Sequence, residues 1–151
     1  MATPDVSTVL NFELPAEPPP FPVPKLNPDT EFFWRSGADG ILRLLRCGQC
    51  GYIVHPPSPR CSRCGSRQVA PDAMSGRGTV YSYTIAVQAF IPGLAPYCVG
   101  LIEIEEQADV RIVGLLLGCT SQTVAVGLSV QVEFFPRTAD IWVPCFRVVA
   151  P

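Results

Sequence analysis

The chain has 151 residues, of which 48% are hydrophobic, so it can bury the core of one or two small domains and is not disordered as a whole. It carries 11 Lys and Arg against 13 Asp and Glu, which gives a net charge of -2. Nucleic-acid binders usually have a basic surplus, because neutralising phosphates drives their binding. The balance therefore argues against that class, although Arg60, Arg63, Arg67 and Arg77 lie close enough in sequence to form a local basic patch.

Targeting signals are not evident at the start of the chain. The first residues, MATPDVSTVLNFELPAEPPP, lack the basic start and the apolar run of a secretory signal. No apolar stretch approaches the roughly 18 residues that suggest a membrane span. We therefore expect a cytoplasmic protein whose thiols stay reduced. The odd count of 7 cysteines also fits poorly with a purely disulfide-bonded framework.

Residues 1–27 are rich in proline and include all but the last residue of the run LPAEPPPFPVPKLNP. Proline removes backbone donors and favours extended polyproline geometry. We predict a tail or linker here, and two interpretations remain open. It either lies along the surface of a partner or is an unstructured end.

A short helical segment is predicted at residues 28–40. Asp29 or Thr30 can cap a helix, Glu31 suits its first turn, and Gly37 can end it. The helix carries three consecutive aromatic residues, Phe32, Phe33 and Trp34. Because these are too many for a helix exposed on one side, part of the cluster should pack on another element. That element is either the core of this chain or an external partner, so the three residues are candidates for partner binding.

A metal-binding ribbon is predicted at residues 41–74. The stretch CGQCGYIVHPPSPRCSRCG contains two Cys-x-x-Cys-Gly units. Four thiolates suit the tetrahedral preference of zinc, and the spacing of the two pairs is a strong signal for such a site. The candidate ligands are Cys47, Cys50, Cys61 and Cys64. Iron in a rubredoxin-like site is the main alternative, and a redox dithiol is disfavoured because it does not require two matched pairs.

Two further features of the ribbon follow from its residues. Gly51 and Gly65 directly follow the two knuckles, and glycine accepts the positive φ that such tight turns require. With four cysteine ligands the site has no place for a reacting water, which predicts a structural and not a catalytic metal. The run GILRLLRC before the first knuckle is ambiguous between strand and helix, and we favour a strand because zinc ribbons normally enter the first knuckle from one.

Five strands are predicted in residues 75–151. The candidate segments are GTVYSYTIAVQAF, PYCVGLIEIEE, VRIVGLLLG, LSVQVEFFP and IWVPCFRVV. They are separated by turn signals, with no long helix between them, which indicates a small antiparallel barrel. The OB-fold is the common five-stranded case, and TSQTVAVG could supply its short helical or irregular segment between the third and fourth strands.

Catalytic residues are not evident. His55 is the single histidine, and it lies among prolines between the two knuckles without a partner motif, so a structural or solvent-facing role is favoured over catalysis. Three more cysteines fall in or beside the strands, where core packing is the default: Cys98, Cys119 and Cys145. The motif Gly76-Arg77-Gly78 is too short to indicate phosphate binding. We expect it to mark the bend from ribbon to barrel.

The order of these features resembles a known family. FFWRSGADG is followed by RCGQCG and PRCSRCGS, then by the joint SGRGTVYSYT, by APYCVGLIEIEE and by a late VGLSVQVEF. This pattern is similar to the zinc-ribbon plus OB-fold family of acyl-CoA-associated proteins, long called domain of unknown function thirty-five. The likeness covers roughly residues 28–149, and it implies a mainly β chain with an N-terminal helical segment, a rubredoxin-like zinc ribbon and a C-terminal five-stranded OB-fold barrel.

The resemblance also implies a supporting role. Family members are similar to accessory subunits of thiolase-fold enzymes, including lipid-transfer-protein-like thiolases and aldolases, and some are associated with MaoC-like enoyl-CoA hydratases of steroid side-chain degradation. The partner would carry the chemistry, and the barrel would help hold the coenzyme A thioester. Candidate ligand contacts are Arg77 for a phosphate, with an apolar rim of Phe90, Ile91, Pro92 and Tyr97. Alternatively, these rim residues only close the barrel.

Three functional hypotheses follow. The leading one is a non-catalytic accessory subunit for aldolase or thiolase chemistry on an acyl-CoA, with a free-standing chain and a domain of a fusion both open. The second is a single-stranded nucleic-acid-binding OB module, which is weakened by the acidic balance and by Lys25 being the single lysine. The third is an independent enzyme, for which the sequence offers no acid or base.

Overall fold

The computed structural model describes residues 8–14, 16, 22–88, 93 and 96–150. Its helical elements are α1 (Glu31–Arg35) and a 3-10 helix (Ser36–Ala38). Its strands are β1 (Asn11–Phe12), β2 (Arg43–Cys47), β3 (Ile53–Val54), β4 (Val69–Ala73), β5 (Arg77–Ala86), β6 (Tyr97–Ile104), β7 (Arg111–Leu117), β8 (Cys119–Thr120), β9 (Ser129–Thr138) and β10 (Ile141–Val148). The chain is thus mainly β, as the sequence predicts.

Five strands close into a barrel in the order β10-β7-β6-β5-β9. β5, β6 and β7 form an antiparallel meander, β9 pairs with both β5 and β10, and β10 runs parallel to β7 through Phe146 and Leu116. These are the five predicted strands, so the barrel prediction is confirmed. The segment TSQTVAVG contains no helix but begins at the end of β8 and continues as a turn.

One core joins the barrel to the rest of the chain. In β6 every second residue is buried, so Cys98, Ile102 and Ile104 point inward together with Phe146 of β10. The same cluster of buried side chains includes Phe33 of α1 and residues of the ribbon. Burying apolar surface in one continuous cluster stabilises the helix, the ribbon and the barrel together.

The ribbon is a three-stranded antiparallel sheet with the order β3-β2-β4. β2 covers most of the ambiguous run GILRLLRC, which is therefore a strand as expected. Its central residues Leu44 and Leu45 are both buried, because Leu44 joins the main core and Leu45 packs on the knuckles. This burial on both faces explains why the run shows no clear alternation in sequence.

The ribbon is attached to the barrel by the loop between β6 and β7. The side chain of Gln107 accepts a hydrogen bond from the Ile53 N–H at 2.8 Å and donates one to the Ile53 C=O at 3.1 Å. The Tyr52 hydroxyl donates to the Asp109 carboxylate at 2.6 Å. The loop therefore satisfies the backbone of β3 much as a neighbouring strand would.

Part of the segment predicted as a tail packs on the barrel instead. β1 pairs antiparallel with β8, and Phe12 is only 2% exposed within the main core. Glu13 accepts hydrogen bonds from the Arg147 guanidinium at 2.9 and 3.0 Å. The tail interpretation of residues 1–27 therefore does not describe this stretch, since a buried phenylalanine and a strand pair hold it against its own chain.

The predicted helix is correct in place but differs at both ends. Thr30 occupies the N-cap position without a side-chain cap, and the Asn27 carboxamide oxygen accepts hydrogen bonds from the backbone N–H groups of Asp29 and Thr30. Gly37 does not end the helical segment but lies in the 3-10 helix, where a Cβ would clash with Trp142 of β10. The residue with positive φ after the segment is Gly40.

The bend between ribbon and barrel requires two glycines. Gly76 has φ of 74°, and a Cβ there would clash with Val132. A Cβ on Gly78 would meet the backbone of Glu103 in the adjacent strand β6. The motif thus serves the close approach of chain segments, as expected from the sequence.

Among the residues that the structure describes, no helix combines the length and apolar character needed to cross a membrane.

Candidate metal centre and barrel surfaces

Four thiols meet at one end of the ribbon. The sulfur atoms of Cys47, Cys50, Cys61 and Cys64 all lie within 4.8 Å of one another. The Cys47–Cys64 and Cys50–Cys61 sulfur distances are both 3.6 Å. A tetrahedral site with metal–sulfur bonds of about 2.3 Å requires sulfur separations of about 3.8 Å. The donor set and its spacing therefore fit a tetrahedral thiolate site for zinc.

The two knuckles have the same backbone structure. The Gly51 N–H donates to the Cys47 C=O, and the Gly65 N–H donates to the Cys61 C=O, both at 2.9 Å. The φ values of Gly51 and Gly65 are 73° and 75°. Nothing lies within 4 Å of a Cβ placed on either glycine. The glycines are therefore required by turn conformation and not by crowding, as the sequence predicts.

The pKa values of Cys47 and Cys64 are shifted in opposite directions. Backbone hydrogen bonds from Cys50 and Gln49 lower the pKa of Cys47 to about 6 despite some desolvation. A hydrogen bond from the Ser66 backbone favours the Cys64 thiolate, but desolvation and the other three sulfurs outweigh it and raise the pKa of Cys64 to about 12. A bound Zn²⁺ supplies the positive charge that four adjacent thiolates require.

His55 packs as a structural residue. Its ring lies 5.6 Å from the Phe33 ring, centroid to centroid, and burial lowers the pKa of the imidazole. Its Nδ1 atom is buried and has no hydrogen-bond partner among the described residues. The described residues thus give His55 neither a carboxylate to orient it nor a nucleophile to activate, which is the arrangement that general-base catalysis requires.

Two of the five proposed coenzyme A contacts, Arg77 and Tyr97, can be located in the structure. Phe90, Ile91 and Pro92 lie outside the described residues. Arg77 and Tyr97 are at opposite ends of the β5–β6 hairpin, since Gly78 pairs with Ile104 and Tyr97 pairs with Ala86. This separation is roughly 25 Å at the strand rise of about 3.3 Å per residue. Arg77 and Tyr97 therefore do not line one compact pocket, and their assignment as ligand contacts stays a prediction.

Arg77 also has an acidic neighbour. Its guanidinium lies 2.7 Å from the Glu105 carboxylate, and this contact raises the pKa of Arg77 and lowers that of Glu105. Both side chains are more than half exposed, so the pair contributes little to stability. A phosphate bound by Arg77 would have to displace Glu105.

The aromatic trio of α1 divides between core and surface. Phe33 is 8% exposed and contacts Trp34 edge to face at 5.0 Å between ring centroids. Phe32 packs against both the main core and the knuckle cluster. Packing in the core of this chain thus explains the aromatic residue at position 33, whereas Trp34 also lines a pocket at the surface of the barrel.

Trp34 lines an apolar pocket that the sequence did not indicate. The pocket has a volume of about 360 Å³ and lies between α1, the barrel and the N-terminal segment. Its other lining residues are Leu14, Pro22, Pro24, Leu115, Phe135, Val143, Pro144 and Cys145. They come from five separate stretches of the chain, so only the tertiary structure brings them together.

The remaining cysteines are buried in the barrel region. Cys98 and Cys145 are each 1% exposed, and Cys119 is 7% exposed. Burial raises the pKa of Cys98 and of Cys145 to about 12. Neutral, buried thiols are poor nucleophiles, which supports the packing role expected from sequence.

The outer face of β6 and β7 has no excess of positive charge. Glu103 and Arg111 pair across the two strands at 3.1 Å, and the Arg111 guanidinium lies 3.7 Å from the centre of the Tyr81 ring. Next to them, Leu101 lies opposite Val113, which is 64% exposed. OB-folds that bind single strands combine aromatic residues with a basic groove, and the charges here cancel.

The architecture and the cysteine geometry agree with family comparisons. Residues 34–70 match the family model of the ChsH2 rubredoxin-like zinc ribbon domain, and residues 72–135 match that of the ChsH2 C-terminal OB-fold domain. The chain belongs to the ChsH2 zinc-ribbon and OB-fold family. Membership of this family, with its four gathered cysteines, supports a structural zinc ion in the ribbon.

A solved structure extends the match through most of the chain. The chain of the "Ltp2-ChsH2(DUF35) aldolase" structure superimposes with a TM-score of 0.74 at 31% identity, over 83% of this chain and 98% of that one. This likeness supports an accessory role beside an enzyme.

Two curated relatives are named as hydratase subunits. A probable enoyl-CoA hydratase alpha subunit of Thermomonospora curvata is 31% identical over 131 residues, which cover 86% of this chain and 40% of the relative. The 3-oxo-4,17-pregnadiene-20-carboxyl-CoA hydratase alpha subunit of Mycobacterium tuberculosis is 34% identical over 112 residues, which cover 74% of this chain and 35% of the relative. The chain thus spans less than half of each relative.

Proposed function

We propose that this ChsH2-family chain is a non-catalytic accessory subunit that binds and supports a thiolase-fold enzyme acting on an acyl-CoA. The enzyme is an aldolase or thiolase of the lipid-transfer-protein-like type, and its reaction is the retro-aldol or thiolytic cleavage of a side-chain acyl-CoA, such as that of a steroid. The observation that carries the proposal is the likeness to a chain of the Ltp2-ChsH2 aldolase over 98% of that chain.

The chemistry of the described residues is consistent with a non-catalytic, accessory role. The four thiols of the ribbon form a closed ligand set that leaves a metal no open position for substrate or water. His55 packs on Phe33, and Cys98, Cys119 and Cys145 are buried. The acid–base and nucleophilic groups of the reaction are therefore assigned to the partner.

The two hydratase relatives add a second kind of partner. Both are named as alpha subunits of enzymes acting on CoA thioesters, and this chain matches about 40% or less of each. We infer that a MaoC-like hydratase contributes to the same assembly, either on a separate chain or fused to this one. Sequential hydration and cleavage of one thioester would then occur next to each other.

A shared thioester is the finer part of the proposal. An acyl-CoA held at the interface would extend from the partner toward this chain, and Arg77 is the proposed phosphate contact once Glu105 releases it. Arg77→Ala should then raise the KM for the acyl-CoA in the complex more than it lowers kcat. Glu105→Gln, which frees Arg77, should lower KM or leave it unchanged.

The experiment that tests the proposal is co-purification followed by an assay. The tagged, zinc-loaded chain is used to recover partners from its native host, and the bound proteins are identified by mass spectrometry. Stoichiometric recovery of a thiolase-fold enzyme that cleaves a β-hydroxyacyl-CoA or a β-ketoacyl-CoA more rapidly with the chain than without it would support the proposal.

Three other outcomes would contradict it. Turnover by the chain alone would make it an enzyme. Salt-sensitive binding of an oligonucleotide would make it a nucleic-acid-binding module, which the cancelling charges of β6 and β7 disfavour. Recovery of no enzyme by a folded, metal-loaded bait would remove the accessory role.

A further inference from the structure

β5 is paired on both sides only in its first part. Arg77–Thr79 pair with Ser129–Gln131 of β9. The Val80 N–H then donates to the Leu128 C=O at 2.9 Å, and the Gly127 N–H donates to the Val80 C=O at 2.8 Å. From Tyr81 to Ala86 the described residues pair β5 with β6 alone. Within the described part of the chain, one edge of these six residues is therefore open.

The geometry of the ladder identifies the open backbone groups. Both backbone groups of Val80 point away from β6, because they bond to Gly127 and Leu128. The register shifts by one residue between Val80 and Ser82, which is a β-bulge. In an antiparallel ladder, the backbone N–H and C=O groups of successive residues point alternately to the two sides of the strand. After the bulge, the backbone groups of Ser82 and Thr84 therefore point toward β6. Tyr83 and Ile85 then carry their N–H and C=O groups at the open edge.

The edge has few of the features that usually prevent pairing. Edge strands are normally protected by charged residues, by proline or by a covering element. The sequence YSYTIAV of residues 81–87 contains neither a charged residue nor a proline. Tyr81, Tyr83 and Val87 are 48%, 37% and 48% exposed. The bulge lies at the start of the edge and leaves the following residues regular.

We propose that this open edge of β5, Tyr81–Ala86, binds an extended, uncharged segment of the enzyme partner by antiparallel or parallel strand addition. Only another extended backbone offers donors and acceptors at the spacing of Tyr83 and Ile85. The residues of the edge carry no charge themselves, and the Arg111 guanidinium that stacks on Tyr81 is paired with Glu103. This favours a partner segment that is also uncharged, since an unpaired charge would be desolvated on docking.

The size of the edge selects the enzyme over a second copy of this chain. A stable protein interface takes roughly 20 to 30 residues on each side. The edge and Val87 together present only seven residues. Self-pairing of β5 would therefore be too small to hold a dimer, whereas strand addition suits one part of a larger interface. This inference rests on the proposed function, because the enzyme must provide the remaining contacts.

Residue-resolved amide hydrogen exchange tests the inference without a substitution. The zinc-loaded chain is measured by NMR or by high-resolution mass spectrometry, alone and in complex with the thiolase-fold enzyme recovered above. The amides of Tyr83 and Ile85 should exchange rapidly in the free chain and at least about 10-fold more slowly in the complex. The amides of Ser82 and Thr84 should be protected in both states, since they bond to β6.

A matched pair of variants separates backbone from side-chain binding. Tyr83→Pro removes the outward N–H, whereas Tyr83→Ala removes only the side chain and keeps the donor. Tyr83→Pro should weaken the complex by at least about 10-fold relative to Tyr83→Ala, which corresponds to about 1.4 kcal/mol. Zinc content and the thermal midpoint show whether each variant is folded.

The outcomes distinguish this inference from the function on which it rests. If the enzyme is recovered but the Tyr83 and Ile85 amides exchange as rapidly as in the free chain, strand addition is wrong and the accessory role stands. Protection of these amides in the free chain at high concentration, together with a dimeric mass, would make a second copy the occupant and also overturn it. Recovery of no enzyme overturns both proposals.

Discussion

The contact between Gln107 and Ile53 should decide how firmly the ribbon is held on the barrel. Gln107→Ala removes one acceptor and one donor at the same time, with bond lengths of 2.8 and 3.1 Å. Ile53 is 1% exposed, so its N–H and C=O would be left without these partners in a largely buried position. The substitution thus tests a tertiary contact without altering the metal ligands or the barrel strands.

The expected cost follows from the number of groups that lose a partner. A buried backbone group without a hydrogen bond costs about 1–3 kcal/mol. Gln107 is itself partly exposed, so water can reach the site after truncation, and the lower end of the range applies to each group. The free energy of unfolding should fall by about 2 kcal/mol, which for a chain of this length lowers the thermal midpoint by about 4–8 °C.

Gln122→Ala is the matched control. Gln122 is an exposed glutamine in the turn after β8, and among the described residues its backbone N–H bonds to the Thr120 hydroxyl while its side chain makes no hydrogen bond. Scanning calorimetry and urea unfolding of both variants, with metal content measured in parallel, give the comparison. If Gln107→Ala lowers the midpoint no more than Gln122→Ala does, the side chain does not hold the ribbon on the barrel and the reasoning is refuted.

Three further predictions concern the metal, the joint and the thiols. The purified chain should contain about one zinc per molecule by elemental analysis. Cys64→Ser should abolish stoichiometric zinc binding and unfold the ribbon, as measured by circular dichroism. A folded, metal-free protein would contradict this prediction. Gly76→Ala should destabilise the chain by about 1–3 kcal/mol more than Gly127→Ala in urea unfolding. Both glycines have positive φ, but only Gly76 is crowded by Val132. Equal destabilisation by the two substitutions would show that this crowding is unimportant. The pKa values of Cys98 and Cys145 are about 12 in the folded state and near 9 when unfolded. Between these pH values only the unfolded state loses protons from the two thiols, so the free energy of unfolding should fall as pH rises. Cys145→Ala should make that fall shallower between about pH 8 and 10.5 in unfolding experiments, and an unchanged slope would count against the prediction.

The parts that sequence predicted well are those set by short-range geometry. The two knuckles are predictable because Cys-x-x-Cys-Gly fixes both the ligand spacing and the position of positive φ, which Gly51 and Gly65 adopt. The strands of the barrel are predictable because every second residue of β6 is buried, and this produces the alternation seen in GLIEIEE.

The parts that it missed depend on pairs that are remote in sequence. β1 is two residues long, and its partner β8 lies more than 100 residues away, so no local pattern distinguishes Asn11 and Phe12 from the surrounding proline-rich stretch. The distance between two of the predicted ligand contacts was not evident for the opposite reason. Arg77 and Tyr97 are near in sequence, but the register of the β5–β6 hairpin places them at opposite ends of two long strands.

The sequence by itself determined the closed four-thiolate site, the five strands and the absence of a recognisable catalytic motif. Each of these is encoded by residue type at fixed local spacing, which needs no knowledge of distant contacts. Only the tertiary structure decided how the loop of Gln107 joins ribbon to barrel, which residues line the pocket beside Trp34, and which part of β5 has no second strand partner among the described residues. These features arise when separate segments approach one another, and strand register and side-chain burial are set by that approach and not by any one segment.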